Sequence, residues 1–136
     1  MTVEATVKYL GDLKCELTHG PSGQTITTDA PKDNGGEGVY FSPTDMVATA
    51  TPACIVTIIG LIAKMKNLNV EGMSARVVKE MAEKPHRRIN SLKISITLPA
   101  YLAQEDRVRL ERAADICPVK ESLHPDIDCQ VEFIYQ

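Results

Sequence analysis

Tryptophan is absent, and the other aromatics are sparse: four Tyr and two Phe in 136 residues. Single-stranded nucleic acid is held largely by aromatic stacking platforms, so this composition argues against such a binder. There is no excess of positive charge either. Fifteen Lys and Arg against 18 Asp and Glu leave a net charge of −3, which makes nucleic acid and anionic membrane poor candidates for the main partner. The four cysteines, at 15, 54, 117 and 129, form no CxxC pair and no Cys–His cluster at metal-ligand spacing. No metal or other cofactor is therefore expected. The start, "MTVEATVKYL", lacks the charged-then-apolar pattern of a secretory signal. The chain reads as cytoplasmic, where disulfides are transient or catalytic rather than structural.

The remaining composition is that of a globular protein, 43% hydrophobic and 24% charged, and the length fits one domain over residues 1–136. Val3, Ala5, Val7 and Tyr9 alternate with polar residues, the period of a half-buried strand. Gly11-Asp12 is read as a tight turn, after which Leu13, Cys15 and Leu17 share one face. Another turn at 19–23 leads to a third strand over 24–29, so the chain opens on an antiparallel meander. The glycine-rich stretch "APKDNGGEGVYF" (30–41) matches neither GxGxxG nor the Walker pattern and is read as a mobile linker.

"SPTD" (42–45) has the form of a helix start: Ser42 as N-cap, Pro43 at the first helical position, Asp45 completing a capping box. The helix is expected to reach Lys66, about 24 residues and about 36 Å. From Met46 to Ala63 it carries no charge, the length of a short membrane span. Thr49, Thr51, Pro52, Thr57 and Gly60 within it, and amphipathic strands around it, favour a helix enclosed by protein. One small sheet cannot wrap all its sides, so a second subunit is the expected wall. A strand follows near 73–83, with Met73, Ala75, Val77 and Met81 as inward candidates. The turn at 84–87 carries His86 and Arg87, with Arg88 beside it, read as solvated. Leu92, Ile94, Ile96 and Leu98 make a clear strand, 103–116 an amphipathic helix, 118–123 a further helical turn, and Ile127 to Tyr135 a last strand. The order βββ-α-ββ-α-β is α+β.

Cys15 and Cys129 fall on inward strand faces and read as packing residues. Cys54 lies in "TPACIVTIIG", two residues after a proline that removes a helical hydrogen bond and predicts a kink. Cys117 directly precedes Pro118, at the start of a helical turn where the dipole favours thiolate. On this reasoning Cys117 is the more acidic thiol. Spacing leaves open whether Cys54 and Cys117 pack or react, and whether they meet.

"SPTDMVATATPACIVTIIGLIAK" together with "ADICPVKESL" resembles the OsmC/Ohr family of thiol-dependent hydroperoxide reductases. That family has a proline-led helix start, a cysteine eleven residues after the proline, and a second cysteine in a CPV segment. Pro43, Cys54 and Cys117 match these features, and the element order fits essentially the whole chain. The resemblance implies an intertwined homodimer with the cysteine-bearing helices buried centrally. It implies that Cys54 is the peroxidatic nucleophile, that Cys117 resolves it as a disulfide, and that an external dithiol reduces the pair. The sequence departs from the pattern in one respect. Family peroxidases use an arginine before the helix to stabilise the thiolate, aided by a carboxylate at the helix start. Here no arginine precedes Arg76, and the upstream cations are Lys8, Lys14 and Lys32. Lysine lacks the bidentate fork of arginine. Lys14, Thr44 and Asp45 are the supporting candidates, and the chain reads as a divergent branch. The alternative function is a non-peroxidatic dimer of this fold that binds a small apolar or thiol ligand or senses redox state.

Overall fold

The computed structural model describes residues 1–136. The chain divides into two compact units, residues 1–46 and 47–136.

The first unit holds an antiparallel sheet of β1 (Ala5–Gly11), β2 (Lys14–His19) and β3 (Thr25–Asp29), in that order. The β1–β2 turn is made by Asp12 and Leu13, both at positive φ (52° and 62°), one residue later than Gly11-Asp12. A bulge between Tyr9 and Gly11 causes the shift, and Gly11, at φ 89°, takes the backbone twist that the bulge demands. Leu13 is thus a turn residue and does not extend the face of Cys15 and Leu17. The expected half-burial of β1 is also not seen: Val7 is 68% exposed and Tyr9 63%. β1 is exposed at every position but Gly11, so neither of its faces is covered within the first unit.

Residues 30–41 are folded back on β3 rather than free of it. A 3-10 turn spans Lys32–Asn34, Gly36 N–H donates to the Pro31 carbonyl at 3.0 Å, and Asp29 N–H donates to the Phe41 carbonyl at 3.1 Å. Gly36 is required sterically, because a Cβ there would lie 1.8 Å from the Ala30 carbonyl oxygen.

Helix α1 (Pro43–Met65) begins as expected. Ser42 N–H donates to Asp45 Oδ2 at 3.0 Å, and Asp45 N–H donates to Ser42 Oγ at 3.1 Å, a reciprocal capping box. The helix runs unbroken through Pro52. By length and composition it could cross a membrane, and a third of its most apolar stretch is buried. Ile55, Ile59 and Ala63, spaced at i, i+4 and i+8, are 0% exposed, so one stripe is core.

The second sheet runs β4-β5-β6, with β4 spanning Ser74–Ala82, β5 spanning Arg88–Leu98 and β6 spanning Asp128–Tyr135. β4 and β5 are antiparallel, whereas β5 and β6 are parallel. A parallel return needs a long crossover, which α2 (Gln104–Glu111) and α3 (Pro118–Glu121) supply. On β5 the alternating Leu92, Ile94, Ile96 and Leu98 are at most 2% exposed. Ile94, Ile96 and Leu98 pack with the α1 stripe and with Leu102, Leu110, Ala113, Ala114 and Cys117, while Leu92 clusters with Ala48 and Ile89. Met73, Val77 and Met81 are half-buried, but Ala75 is exposed. The single helix expected over 103–116 stops at Glu111 and tightens into a 3-10 turn, Arg112–Ala114. Leu110, Ala113, Ala114 and Cys117 are nevertheless buried along one stripe.

Candidate redox site

Cys54 sits on α1, half-buried and packed against the main core cluster. Just before it, Thr51 Oγ1 donates to the Val47 carbonyl at 3.0 Å, and Pro52 contributes no N–H. The other thiol comes from the crossover. Cys117 is 0% exposed and is the N-cap of α3, with Pro118 at the first helical position. Its Sγ accepts the Lys120 N–H at 3.4 Å and lies 4.0 Å from the Thr51 carbonyl oxygen. The Cys54 side chain lies close enough to shift the Cys117 thiol. The two cysteines singled out in the sequence therefore meet as free thiols.

Cys117 is not the acidic thiol that its position before Pro118 suggests. Burial pushes it above the ordinary thiol range. The Lys120 amide pulls the other way, and the Cys54 side chain raises it further. A helix of four residues adds too little dipole to offset full desolvation. Cys129, half-buried on β6, is likewise raised, first by burial, with Lys120 opposing. Cys15 is a half-buried residue of β2 opposite Tyr9 and Thr28.

Thr44 and Asp45 belong to the start of α1, where Asp45 caps and Thr44 Oγ1 lies 3.3 Å from Ser42 Oγ. Lys14 belongs to a charged node of the first unit. Its Nζ is 3.0 Å from Glu37 Oε1 and 3.7 Å from Asp29 Oδ2, and it is held above its usual range first by the hydrogen bond to Glu37. Asp29 is 1% exposed. Burial alone would raise its carboxyl, but the Val39 amide, Lys14 and the amides of Ala30 and Glu37 hold it below the usual range. Asp29 and Glu37 were not singled out in the sequence. They lie among several acids in a polar, glycine-rich stretch, and no local pattern marks which one is buried. Arg87 pairs with Glu83 at 2.9 Å, and Arg88 donates to the Ile89 carbonyl at 3.3 Å. No group of three or more His, Cys, Asp or Glu side chains is arranged to hold a metal ion.

An α+β chain with a capped apolar helix bearing one thiol, and a second thiol at the N-cap of a short crossover helix, matches a known family. The OsmC-like protein family matches residues 35–132, and the chain belongs to it. Its likeness to a protein of Psychrobacter arcticus 273-4 extends to sequence: 41% identity over 98% of this chain and 96% of that one, with a TM-score of 0.91. That protein is provisionally described as an osmotic stress induced and detoxification response protein. An organic hydroperoxide resistance protein OsmC of Legionella pneumophila is 16% identical, with 98% and 97% of the two chains covered and a TM-score of 0.74. The organic hydroperoxide resistance protein OhrB of Bacillus subtilis is 18% identical, with 98% of each chain covered and a TM-score of 0.68. At those two identities the likeness is one of fold. No curated protein matches the chain.

Proposed function

We propose that the protein is a thiol-dependent hydroperoxide reductase in which Cys54 is the nucleophile and Cys117 the resolving thiol. The observation that supports this reading is that the crossover brings Cys117 onto α1 beside Cys54: its Sγ lies 4.0 Å from the Thr51 carbonyl, and the Cys54 side chain helps to raise its thiol. Cys54 is half-buried and Cys117 fully buried, so Cys54 is the sulfur more open to attack a peroxide. The Cys54 thiolate attacks the distal oxygen of ROOH. The O–O bond breaks, the distal OH stays on sulfur so that Cys54 becomes a sulfenic acid, and the departing alkoxide takes a proton from solvent to leave as ROH. Cys117 then attacks the Cys54 sulfur, water leaves, and a disulfide forms. An external dithiol reduces it, returning two thiols and carrying away a disulfide of its own. Four free cysteines suit a reducing, cytoplasmic setting. The working form is a homodimer, which would cover the apolar surface that one chain leaves on α1 and β1.

Mass spectrometry after one equivalent of cumene hydroperoxide tests the reading. A loss of two hydrogens mapped to Cys54–Cys117 is expected. Consumption of the hydroperoxide with dithiothreitol should fall to background in Cys54→Ser, and equal rates in wild type and variant would overturn the assignment.

One observation favours a second reading, a non-peroxidatic dimer that binds a small ligand or senses redox state. No arginine precedes Arg76, and Lys14 is engaged by Glu37 and Asp29. Absence of turnover in wild type, with Cys54 and Cys117 still convertible to a disulfide by diamide, would decide for it.

A further inference from the structure

Two sulfurs joined in a disulfide are not equal targets when the bond is opened again, and the surroundings of Cys54 and Cys117 differ in two respects. The first is access. Cys117 is 0% exposed, whereas Cys54 is half-buried, and thiol–disulfide exchange goes at the sulfur that the attacking thiolate can reach. The second is the set of donors around each sulfur. Cys117 Sγ accepts the Lys120 N–H at 3.4 Å, and the Val119 amide also favours its anionic form. Both amides belong to the first turn of α3, which Pro118 opens. Burial outweighs them in the resting protein and keeps the Cys117 thiol raised. They lower the cost of a charge that exists only while the S–S bond breaks, when a donor already in place needs no reorganisation. The Thr51 carbonyl, 4.0 Å from the sulfur, can accept an S–H but not a thiolate, so it favours return of the proton afterwards.

We infer that an external thiol opens the Cys54–Cys117 disulfide at Cys54, and that the backbone N–H of Lys120 receives Cys117 as the leaving group. This rests on the redox pairing proposed above and assigns the direction of its reductive half. The reductant thiolate bonds to Cys54 Sγ, the S–S bond breaks, and Cys117 departs with the electron pair as a thiolate, then takes a proton from solvent. The second thiol of the reductant, as thiolate, attacks the reductant sulfur now on Cys54. The reductant's own disulfide forms and the Cys54 thiolate is released. The dithiol is oxidised by two electrons and the cysteine pair reduced by two. Lys120 contributes its main chain to this step, not its charge.

The test oxidises the full-length protein with diamide, mixes it with the monothiol 2-mercaptoethanol, quenches in acid and maps the products by mass spectrometry. A 2-mercaptoethanol adduct on Cys54 with Cys117 free is expected. An adduct on Cys117, an even split between the two, or no Cys54–Cys117 disulfide after diamide would each overturn the proposal. Diamide supplies the oxidation, so a protein that turns over no hydroperoxide can still give the Cys54 adduct, and the failure of the peroxidase reading and the failure of this one are separate results. The donor is tested by rate. Lys120→Pro removes the N–H within a first helical turn, where proline is tolerated, whereas Lys120→Gln removes only the side-chain charge. The disulfide should open roughly tenfold or more slowly in Lys120→Pro than in Lys120→Gln, with alkylation of Cys54 in the reduced proteins equally fast in both. Equal opening rates would overturn the role of the amide, and the adduct map on wild type decides the site of attack even where Lys120→Pro does not fold.

Discussion

At the scale of single residues, the environment of Cys117 departs most from what its local sequence suggests. Position before a helix start argues for an acidic Cys117, but burial to 0% exposure and the neighbouring Cys54 side chain outweigh the Lys120 and Val119 amides. Stability should respond to pH accordingly. Up to the ordinary thiol range, about 8.5, folded and unfolded chains both keep these protons and there is no contribution. Above it the unfolded chain releases protons that native Cys117 and Cys129 retain. The unfolded state then gains, and stability falls as pH rises. Urea midpoints measured at pH 7 and pH 9.5 should therefore diverge in the wild type, and Cys129→Ala should narrow the gap. Ser42 is the other residue whose role is local. Ser42→Ala removes the cap oxygen from the Asp45 amide and should cost about 1 kcal/mol, read as a lower thermal midpoint. The capping box was legible in "SPTD" because a cap is a contact over three residues. The raised Cys117 thiol was not, because desolvation depends on what covers the sulfur.

At the scale of elements, β5 and α1 carry the core of the second unit. Ile96 and Ile59 are 0% exposed within one cluster, and truncating either to Ala should cost about 2–5 kcal/mol in chemical denaturation. A change of similar chemistry at exposed Leu61 should cost far less of the single chain's stability. The β5 stripe was readable from its period of two, and the α1 stripe from i, i+4, i+8 spacing. Two elements differ from their patterns. The helix over 103–116 tightens after Glu111 while keeping Leu110, Ala113, Ala114 and Cys117 buried, since the same stripe survives a change of pitch over one turn. β6 pairs parallel to β5, and side-chain alternation carries no sign of strand direction.

For the whole molecule, the outstanding quantity is apolar surface. Val7 and Tyr9 in the first unit, and Leu61 and Met65 in the second, are 59–73% exposed. If a second copy covers this surface, sedimentation equilibrium should give twice the chain mass. Leu61→Glu should then shift the equilibrium toward the monomer, because an unpaired charge would be buried at the contact. A monomeric wild type at micromolar concentration would contradict the dimer.

The sequence by itself determined the order of elements, the capped start of α1, the buried stripe of β5 and the pair of cysteines worth asking about. Each of these rests on periodicity or on neighbours a few residues apart, which a linear string records. Only the tertiary structure decided that Cys117 is buried beside Cys54 and that Asp29 is buried beside Lys14 and held by backbone amides. Those facts depend on which distant segments pack together and on how much water that packing removes, and neither has a local signature.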